Sequence, residues 1–157
     1  MEIDMDKIKV GIKYVSDKIG KEIKPPFYAT EGSAGMDLVA AIDEPIVLKK
    51  GSLNLIPTGI AIEIEDLSVA AFLYARSGLG IKHGICLSNG VGVIDSDYRG
   101  EIKVGLINLG PEDYTINPGE RIAQMVFSPV LRAEMIKKEE LGTTERGEGG
   151  FGSTGKS

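Results

Sequence analysis

The segment GVGVIDSDYRGEIKV, from Gly90 to Val104, carries the pattern that decides the fold. Apolar residues recur at every second position at both of its ends, which is typical of β-strands; these residues are Val91, Val93, Ile102 and Val104. The middle is polar and contains Asp95, Asp97, Tyr98 and Arg99. Two interpretations are open for the resulting β-hairpin. It is either a polar turn between two strands or a site that handles a charged ligand.

The same period of two recurs along the whole chain, between turns rich in the 21 glycines and 7 prolines. One short helix is expected after Arg76, with Ser77 as its N-terminal cap. Many short strands at this spacing predict an all-β sandwich, jelly roll or barrel. The predicted strands are 8–14, 36–40, 45–49, 53–64, 69–75, 91–94, 101–108, 113–116, 121–127 and 130–136.

Size and charge restrict the class of partner. The 157 residues suffice for one domain, and the formal net charge is −5, from 18 basic and 23 acidic residues. Polymeric nucleic acid is therefore not an expected partner, because its binding depends on neutralising many phosphates, but a single nucleotide is not excluded. No apolar run approaches the roughly 18 residues of a membrane span, and the acidic N-terminus does not resemble a signal peptide. We expect a cytoplasmic protein that does not bind membranes.

Histidine and cysteine chemistry is nearly absent. Cys86 is the single cysteine, so an internal disulfide is impossible, and we expect it to be buried and inert. His83 is the single histidine, and we expect it to be structural or solvent-facing. Carboxylates are therefore the expected groups for any acid–base catalysis.

The last 16 residues, GTTERGEGGFGSTGKS, differ from the rest because they hold six glycines and one large apolar side chain, Phe151. Glycine at this density costs much backbone entropy and buries little, so residues 142–157 are expected to be flexible. Residues 1–141 are expected to form the single β-rich domain.

Functional groups concentrate in five short stretches rich in small residues. The stretches are AGMDLVAA (34–41), ARSGLGIKHG (75–84), SNGVGVIDSDYRGE (88–101), GERIAQMVF (119–127) and RGEGGFGSTG (146–155). They supply carboxylates that could bind a metal or a water, namely Asp37, Asp95 and Asp97. Hydrogen-bond donors for phosphate come from Arg76, Ser77, Gln124 and Arg146. Tyr98 and Phe151 add aromatic faces, and Asn89 adds an amide.

In that order the five stretches resemble the five motifs of the trimeric dUTP diphosphatase (dUTPase) family, over nearly the whole chain. The resemblance implies a jelly-roll-like, distorted β-barrel subunit and a homotrimer with a site between subunits. It implies that residues 142–157 form a lid over that site. It also implies Mg²⁺-assisted hydrolysis of dUTP to dUMP and diphosphate, which limits uracil in DNA and supplies dUMP for dTMP synthesis.

The resemblance implies a role for each matching residue. Asp95 would orient the attacking water and reach the 3′-hydroxyl, Tyr98 would pack on the deoxyribose, and Asp37 would hold water bound to Mg²⁺. Substrate contacts would also come from the backbone of the hairpin, the phosphate-binding stretches and the lid. The residues so implied are Arg76, Ser77, Gly78, Asn89, Val93, Ile94, Lys103, Gln124, Arg146, Phe151, Gly152, Ser153 and Thr154.

Alternatives remain open at this point. Asp95 could satisfy nearby amides in a turn, while Asp97 and Arg99 are expected to make structural bonds within the hairpin or across the trimer. A non-catalytic regulatory platform on the same fold is one rival function. A dCTP deaminase is another, but it needs a glutamate where this chain has Gly105.

Overall fold

The computed structural model describes residues 7–150, which form twelve β-strands and one α-helix. This confirms the predicted all-β class with one short helix. The elements are β1 Val10–Tyr14, β2 Phe27–Tyr28, β3 Met36–Val39, β4 Ile46–Leu48, β5 Leu53–Pro57, β6 Ile60–Ile64, β7 Val69–Tyr74, α1 Ser77–His83, β8 Ile85–Leu87, β9 Gly92–Ile94, β10 Lys103–Asn108, β11 Tyr114–Ile116 and β12 Arg121–Pro129.

The strands form four small antiparallel sheets around one core. The largest has the order β2-β3-β12-β7-β9, and the others are β5-β10-β8, β11-β4 and β1-β6. Neighbours within a sheet are mostly distant in sequence, as expected for the predicted jelly-roll-like barrel. The largest fully buried side chains come from many of these strands and from the turns between them: Leu38, Leu48, Ile56, Ile60, Ile85, Ile102, Leu106, Ile116, Ile122 and Met125. No helix among the described residues has the length and apolar composition needed to cross a bilayer.

Several element boundaries differ from the sequence prediction. The predicted strand 53–64 is two strands, because the chain turns at Gly59, whose φ is 71°. A side chain at Gly59 would also lie 2.8 Å from the Ala41 Cβ. Strands β2 and β8 were not predicted. The helix begins at Ser77, but its N-cap residue is Arg76, and no side chain caps it.

The predicted strand 130–136 is wrong for the described chain. These residues have no strand assignment, and Leu131 is 99% exposed. A strand exists only as part of a hydrogen-bonded ladder, and no strand within residues 7–150 pairs with this segment.

The predicted hairpin at Gly90–Val104 is a turn between two sheets and not a two-stranded ladder. Strand β9 pairs with β7, with Ile94 opposite Ala71, whereas β10 pairs with β5 and β8. Between them the Tyr98 amide donates to the Asp95 carbonyl at 3.1 Å, which closes a tight turn. The polar residues therefore project from a junction between sheets.

A buried amide fixes the far end of α1. Asn108 is fully buried, donates to the carbonyls of Leu48 at 2.9 Å and Glu112 at 2.8 Å, and accepts from the Gly110 amide at 2.9 Å. Gly84 ends α1 with a φ of 69°, and a side chain at Gly110 would overlap the His83 carbonyl. Close glycine packing and the Asn108 bonds thus hold the helix against the loop after β10.

We predict that Asn108→Ala lowers the free energy of unfolding by about 2–4 kcal/mol, because it leaves buried backbone groups without partners and opens a cavity. Urea denaturation measures the change. Asn54→Ala is the matched control, since Asn54 is half-buried and its Nδ2 meets the Ser52 hydroxyl at only 3.4 Å. A loss for Asn108→Ala no larger than that of the control would contradict the assigned role.

Candidate active site

Two guanidinium groups meet on the buried carboxylate of Asp37. Asp37 lies on β3 and is 7% exposed. Arg76 Nε lies 2.9 Å from Asp37 Oδ1, and Arg121 Nη1 lies 3.2 Å from Oδ2. A buried carboxylate needs such partners, because its desolvation is costly. The cluster holds two cations on one anion and therefore favours a further anion.

The strand register places Gln124 beside the same cluster. Gln124 lies opposite Asp37 across β3 and β12, and its Nε2 donates to the Ala75 carbonyl at 3.1 Å. Ala75 directly precedes Arg76, so this bond fixes the backbone at the β7–α1 junction. The structure thus brings together three residues that the sequence proposed for phosphate or metal: Asp37, Arg76 and Gln124.

The start of α1 lies beside these guanidinium groups. Arg76 has an extended backbone, with φ −91° and ψ 134°, and its carbonyl accepts from the Gly80 amide at 2.9 Å. The amides of Ser77 and Gly78 have no acceptor within a helix that begins there. They are donors that a phosphate oxygen can use.

A surface cavity of about 290 Å³ adjoins the guanidinium cluster and is lined by Arg76, Gly78, Leu79, Lys82, His83, Tyr114, Glu120 and Arg121. Its one carboxylate, Glu120, bonds the Tyr114 hydroxyl and accepts from the Asn117 amide at 2.9 Å. Burial, followed by that bond, raises the pKa of Tyr114 to about 12, so the phenol is neutral at physiological pH. The cavity wall is cationic overall.

The sequence reasoning missed several residues of this wall. Arg121 lay inside the quoted stretch GERIAQMVF, so its position was available as a signal. Lys82 likewise lay inside the stretch ARSGLGIKHG. Tyr114 lay outside all five stretches, and only tertiary packing brings β11 to the same cavity as α1. His83 packs its ring on Tyr114, with centroids 4.7 Å apart, which agrees with its expected structural role.

The turn after β9 presents Asp95 to a second surface cavity, of about 320 Å³. Its lining residues are Leu67, Val69, Ala70, Asp95, Ser96, Asp97, Val130 and Arg132. Arg99 Nη1 donates to the Ser96 carbonyl at 2.7 Å and to the Tyr98 carbonyl at 3.2 Å, and Arg99 Nη2 lies 3.5 Å from Glu63. The predicted structural bonds of Arg99 are therefore present within the turn itself.

Tyr98 lines a third cavity, of about 300 Å³. The cavity is formed by Leu55, Ile94, Tyr98, Glu101, Ile102 and Lys103. Three predicted substrate residues, Ile94, Tyr98 and Lys103, thus come together, and Leu55 and Glu101 are additions that the sequence did not indicate. Val93 is exposed on β9, and Asn89 is exposed in the turn after β8.

The two groups of predicted site residues lie at opposite ends of β7. Ile94 is opposite Ala71, so Asp95 lies near Ala70, whereas Arg76 follows the other end of the strand. Six residues of extended chain separate these positions by roughly 20 Å. One chain therefore does not place Asp95 next to Arg76.

The tail is described only in part. Arg146 is exposed, and its Nε donates to the Gly149 carbonyl at 2.8 Å in a local turn. The other proposed lid residues, Phe151, Gly152, Ser153 and Thr154, lie outside the described residues.

A protein-built Mg²⁺ cage does not fit residues 7–150, since no group of three His, Cys, Asp or Glu side chains there could hold a metal. A cation that arrives on a triphosphate does fit, because Mg²⁺ keeps several waters and commonly needs few protein ligands. The Asp37 carboxylate has about four lone-pair directions, of which the two arginines use two. The others can accept hydrogen bonds from metal-bound water.

Comparison with known proteins gives one consistent family. The dUTPase family model matches residues 21–155. A protein of Escherichia coli named deoxyuridine 5'-triphosphate nucleotidohydrolase is 51% identical over 148 residues, which are 94% of this chain and 98% of the relative. A protein of the same name from Shigella boydii serotype 18 has the same identity and coverage.

Solved structures agree with the sequence comparison. The Staphylococcus bacteriophage 80alpha dUTPase with dUpNHpp superposes with a TM-score of 0.81 at 27% identity, over 94% of this chain and 98% of that one. The dUTPase from phage phi11 of S. aureus superposes with a TM-score of 0.74 at 22% identity, over 87% of this chain and 99% of that one. At this identity the similarity supports only the fold. Because the family model matches most of this chain and relatives share 51% of its residues, the chain belongs to the dUTPase family.

Proposed function

We propose that this chain hydrolyses dUTP to dUMP and diphosphate, with the Mg²⁺ complex of the triphosphate as its substrate. One observation carries the proposal: in a chain of this family, two guanidinium groups meet on the buried carboxylate of Asp37 and can hold phosphates. The turn from Asp95 to Tyr98, closed by the bond from the Tyr98 amide to the Asp95 carbonyl, can in addition bind a nucleoside and a water.

The reaction needs positioning more than a strong base. Asp95 orients a water for in-line attack on the α-phosphorus, and a carboxylate suffices because phosphoryl transfer has a loose transition state. Arg76, Ser77, Gly78 and Gln124 bind the phosphate oxygens. Asp37 keeps Arg76 oriented through the 2.9 Å ion pair. Mg²⁺ bound to the triphosphate would neutralise part of its charge, and Asp37 would accept hydrogen bonds from its waters.

The turn between β9 and β10 selects the nucleoside in this proposal. Tyr98 packs flat on the deoxyribose and leaves no room for a 2′-hydroxyl. The backbone of Val93 and Ile94 and the Asn89 amide read the uracil edge, and Lys103 contributes a backbone contact.

The working unit in this proposal is a homotrimer with sites between subunits. Since Asp95 and Arg76 lie roughly 20 Å apart in one chain, a site that uses both takes them from two chains. Exposed apolar side chains on residues 131–141 also support association, because such patches mark protein interfaces. They are Leu131, Met135, Ile136 and Leu141, each at least 74% exposed.

Residues 142–157 act in the proposal as a lid on the domain formed by residues 1–141. Arg146 meets the γ-phosphate, Phe151 stacks on uracil, and Gly152, Ser153 and Thr154 add amides and hydroxyls. The exposure of residues 142–148 supports a segment that has no place in the core. Limiting uracil in DNA and supplying dUMP, in the cytoplasm, would be the physiological role.

One rival function lacks its key residue. A dCTP deaminase would need a glutamate at the position of Gly105, and glycine has no side chain to activate a water. A non-catalytic platform is not favoured, because Asp95 and Tyr98 are both retained. Diphosphate release from dUTP, measured beside dCTP, dTTP and UTP, tests the proposal. No preference for dUTP would refute it.

Asp95→Asn is expected to lower kcat by about 10²–10⁴-fold with little change in dUTP binding, because the amide keeps the shape and loses the charge that orients water. Single-turnover kinetics and calorimetry measure the two effects. Asp97→Asn is the matched control, since it lines the same cavity and is proposed to be structural. Near-normal turnover in Asp95→Asn would mean that another residue orients the water, and Asp37 would be the first candidate.

Tyr98→Ala is expected to lower the ratio of kcat/KM for dUTP to that for UTP by about tenfold or more, a loss of roughly 1.4 kcal/mol of discrimination, because the wall against the 2′-hydroxyl is removed. Tyr28→Ala removes another exposed tyrosine and should leave the ratio unchanged. If the ratio is the same in Tyr98→Ala and wild type, the sugar is selected elsewhere.

Deletion from Gly147 onward is expected to leave the melting temperature unchanged and to reduce turnover strongly. Phe151→Ala alone should reproduce part of the loss, since base stacking contributes about 1–3 kcal/mol. Amide exchange in residues 146–155 should be fast alone and slow with Mg²⁺ and a non-hydrolysable dUTP analogue. Full activity of the truncated chain, or equal protection in both states, would exclude the lid.

A further inference from the structure

Glu101 connects the Tyr98 turn to the body of the protein by two of its groups. Its side-chain Oε1 accepts from the Gly59 amide at 3.0 Å, and its backbone carbonyl accepts from the Tyr98 hydroxyl at 3.0 Å. One residue thus receives a bond from the β5–β6 turn on one side and from the nucleoside-facing phenol on the other.

The Gly59 end of this connection is rigid. Gly59 is crowded by Ala41 and Ser16, whose Cβ atoms lie 2.8 and 2.9 Å from where a side chain would begin. The neighbouring Thr58 hydroxyl donates to the Ile102 carbonyl at 2.6 Å, and the Ile102 amide donates to the Ile60 carbonyl at 2.8 Å. Glu101 is therefore anchored to a buried, hydrogen-bonded turn.

The Tyr98 end needs that anchor. The ring is 45% exposed, so packing alone does not fix its orientation. It lies across Gly100, where any side chain would overlap the Tyr98 hydroxyl. With Gly100 offering no side chain to guide the ring, the hydrogen bond to the Glu101 carbonyl is the polar contact that holds it.

We propose that Glu101 is a positioning residue that orients Tyr98, and through it sets the preference for deoxyribose over ribose. The inference rests on the proposed function, in which Tyr98 packs on the sugar. Glu101 acts through the acceptor that its side chain offers to Gly59. Its charge is secondary, since the ion pair with Lys103 is long, at 3.9 Å.

The test compares variants by the ratio of kcat/KM for dUTP to that for UTP. Glu101→Met keeps the length of the side chain and removes the acceptor, so we expect the ratio to fall about three- to tenfold, as for loss of one hydrogen bond. Glu101→Gln keeps an acceptor for the Gly59 amide and loses the charge, so the ratio should return to near the wild-type value. Glu63→Met is the matched control, because Glu63 meets the same turn through Arg99.

A double-mutant cycle identifies the route of the effect. Tyr98→Phe removes the hydroxyl end of the connection on an exposed ring, so it leaves the fold intact. If Glu101 acts through that hydroxyl, Glu101→Met added to Tyr98→Phe lowers the ratio no further. Additive losses would overturn the inference, as would a Glu101→Met variant that melts earlier yet keeps the wild-type ratio.

The two proposals fail in different ways. A wild-type protein without preference for dUTP over UTP would remove the proposed function, and this inference with it. A wild-type protein that prefers dUTP and loses the preference in Tyr98→Ala but not in Glu101→Met would remove the inference alone.

Discussion

The carboxylate of Asp37, buried beneath the cationic cavity, accepts one guanidinium on each of its oxygens. A buried charge of this kind is tolerated only with good partners, and removing one of them leaves the remainder poorly compensated. The requirement ties together three separate parts of the chain: β3, the start of β12 and the β7–α1 junction. It also leaves a surplus positive charge at the protein surface. The phosphate half of the proposed site is therefore a consequence of how the fold satisfies one buried aspartate.

Helix α1, which follows the β7–α1 junction, is also held at its C-terminal end. Gly84 and Gly110 allow α1 to approach the loop after β10 closely, and Asn108 bonds that loop to β4 and to the Glu112 carbonyl. Between the Asp37 ion pairs and this contact, the short helix has little freedom to move. A rigid scaffold that carries a short functional segment is a general way to position catalytic groups. Here it places the Ser77 and Gly78 amides beside Arg76.

Strand β7 sets the distance between the two halves of the proposed site. Because an extended strand rises about 3.3 Å per residue, the Asp95 turn and the Arg76 junction cannot meet within one chain. In the proposed function, association of chains is therefore part of the chemistry and not only of stability. The exposed apolar side chains on residues 131–141 support association in that proposal, because such patches mark protein interfaces.

The sequence by itself determined the class of fold, most strands, the short helix and the five stretches in which candidate functional groups concentrate. Local signals suffice for these: alternation of apolar residues, turn-forming glycines, and small residues beside functional groups. Only the tertiary structure decided that Gly90–Val104 joins two sheets, that residues 130–136 are unpaired, and that 53–64 breaks at Gly59, because strand pairing depends on segments far apart in sequence. It also decided that Arg121 shares Asp37 with Arg76 and that Glu101 bonds both Gly59 and Tyr98. Contacts between residues as distant as Asp37 and Arg121 arise from packing, which no local pattern encodes.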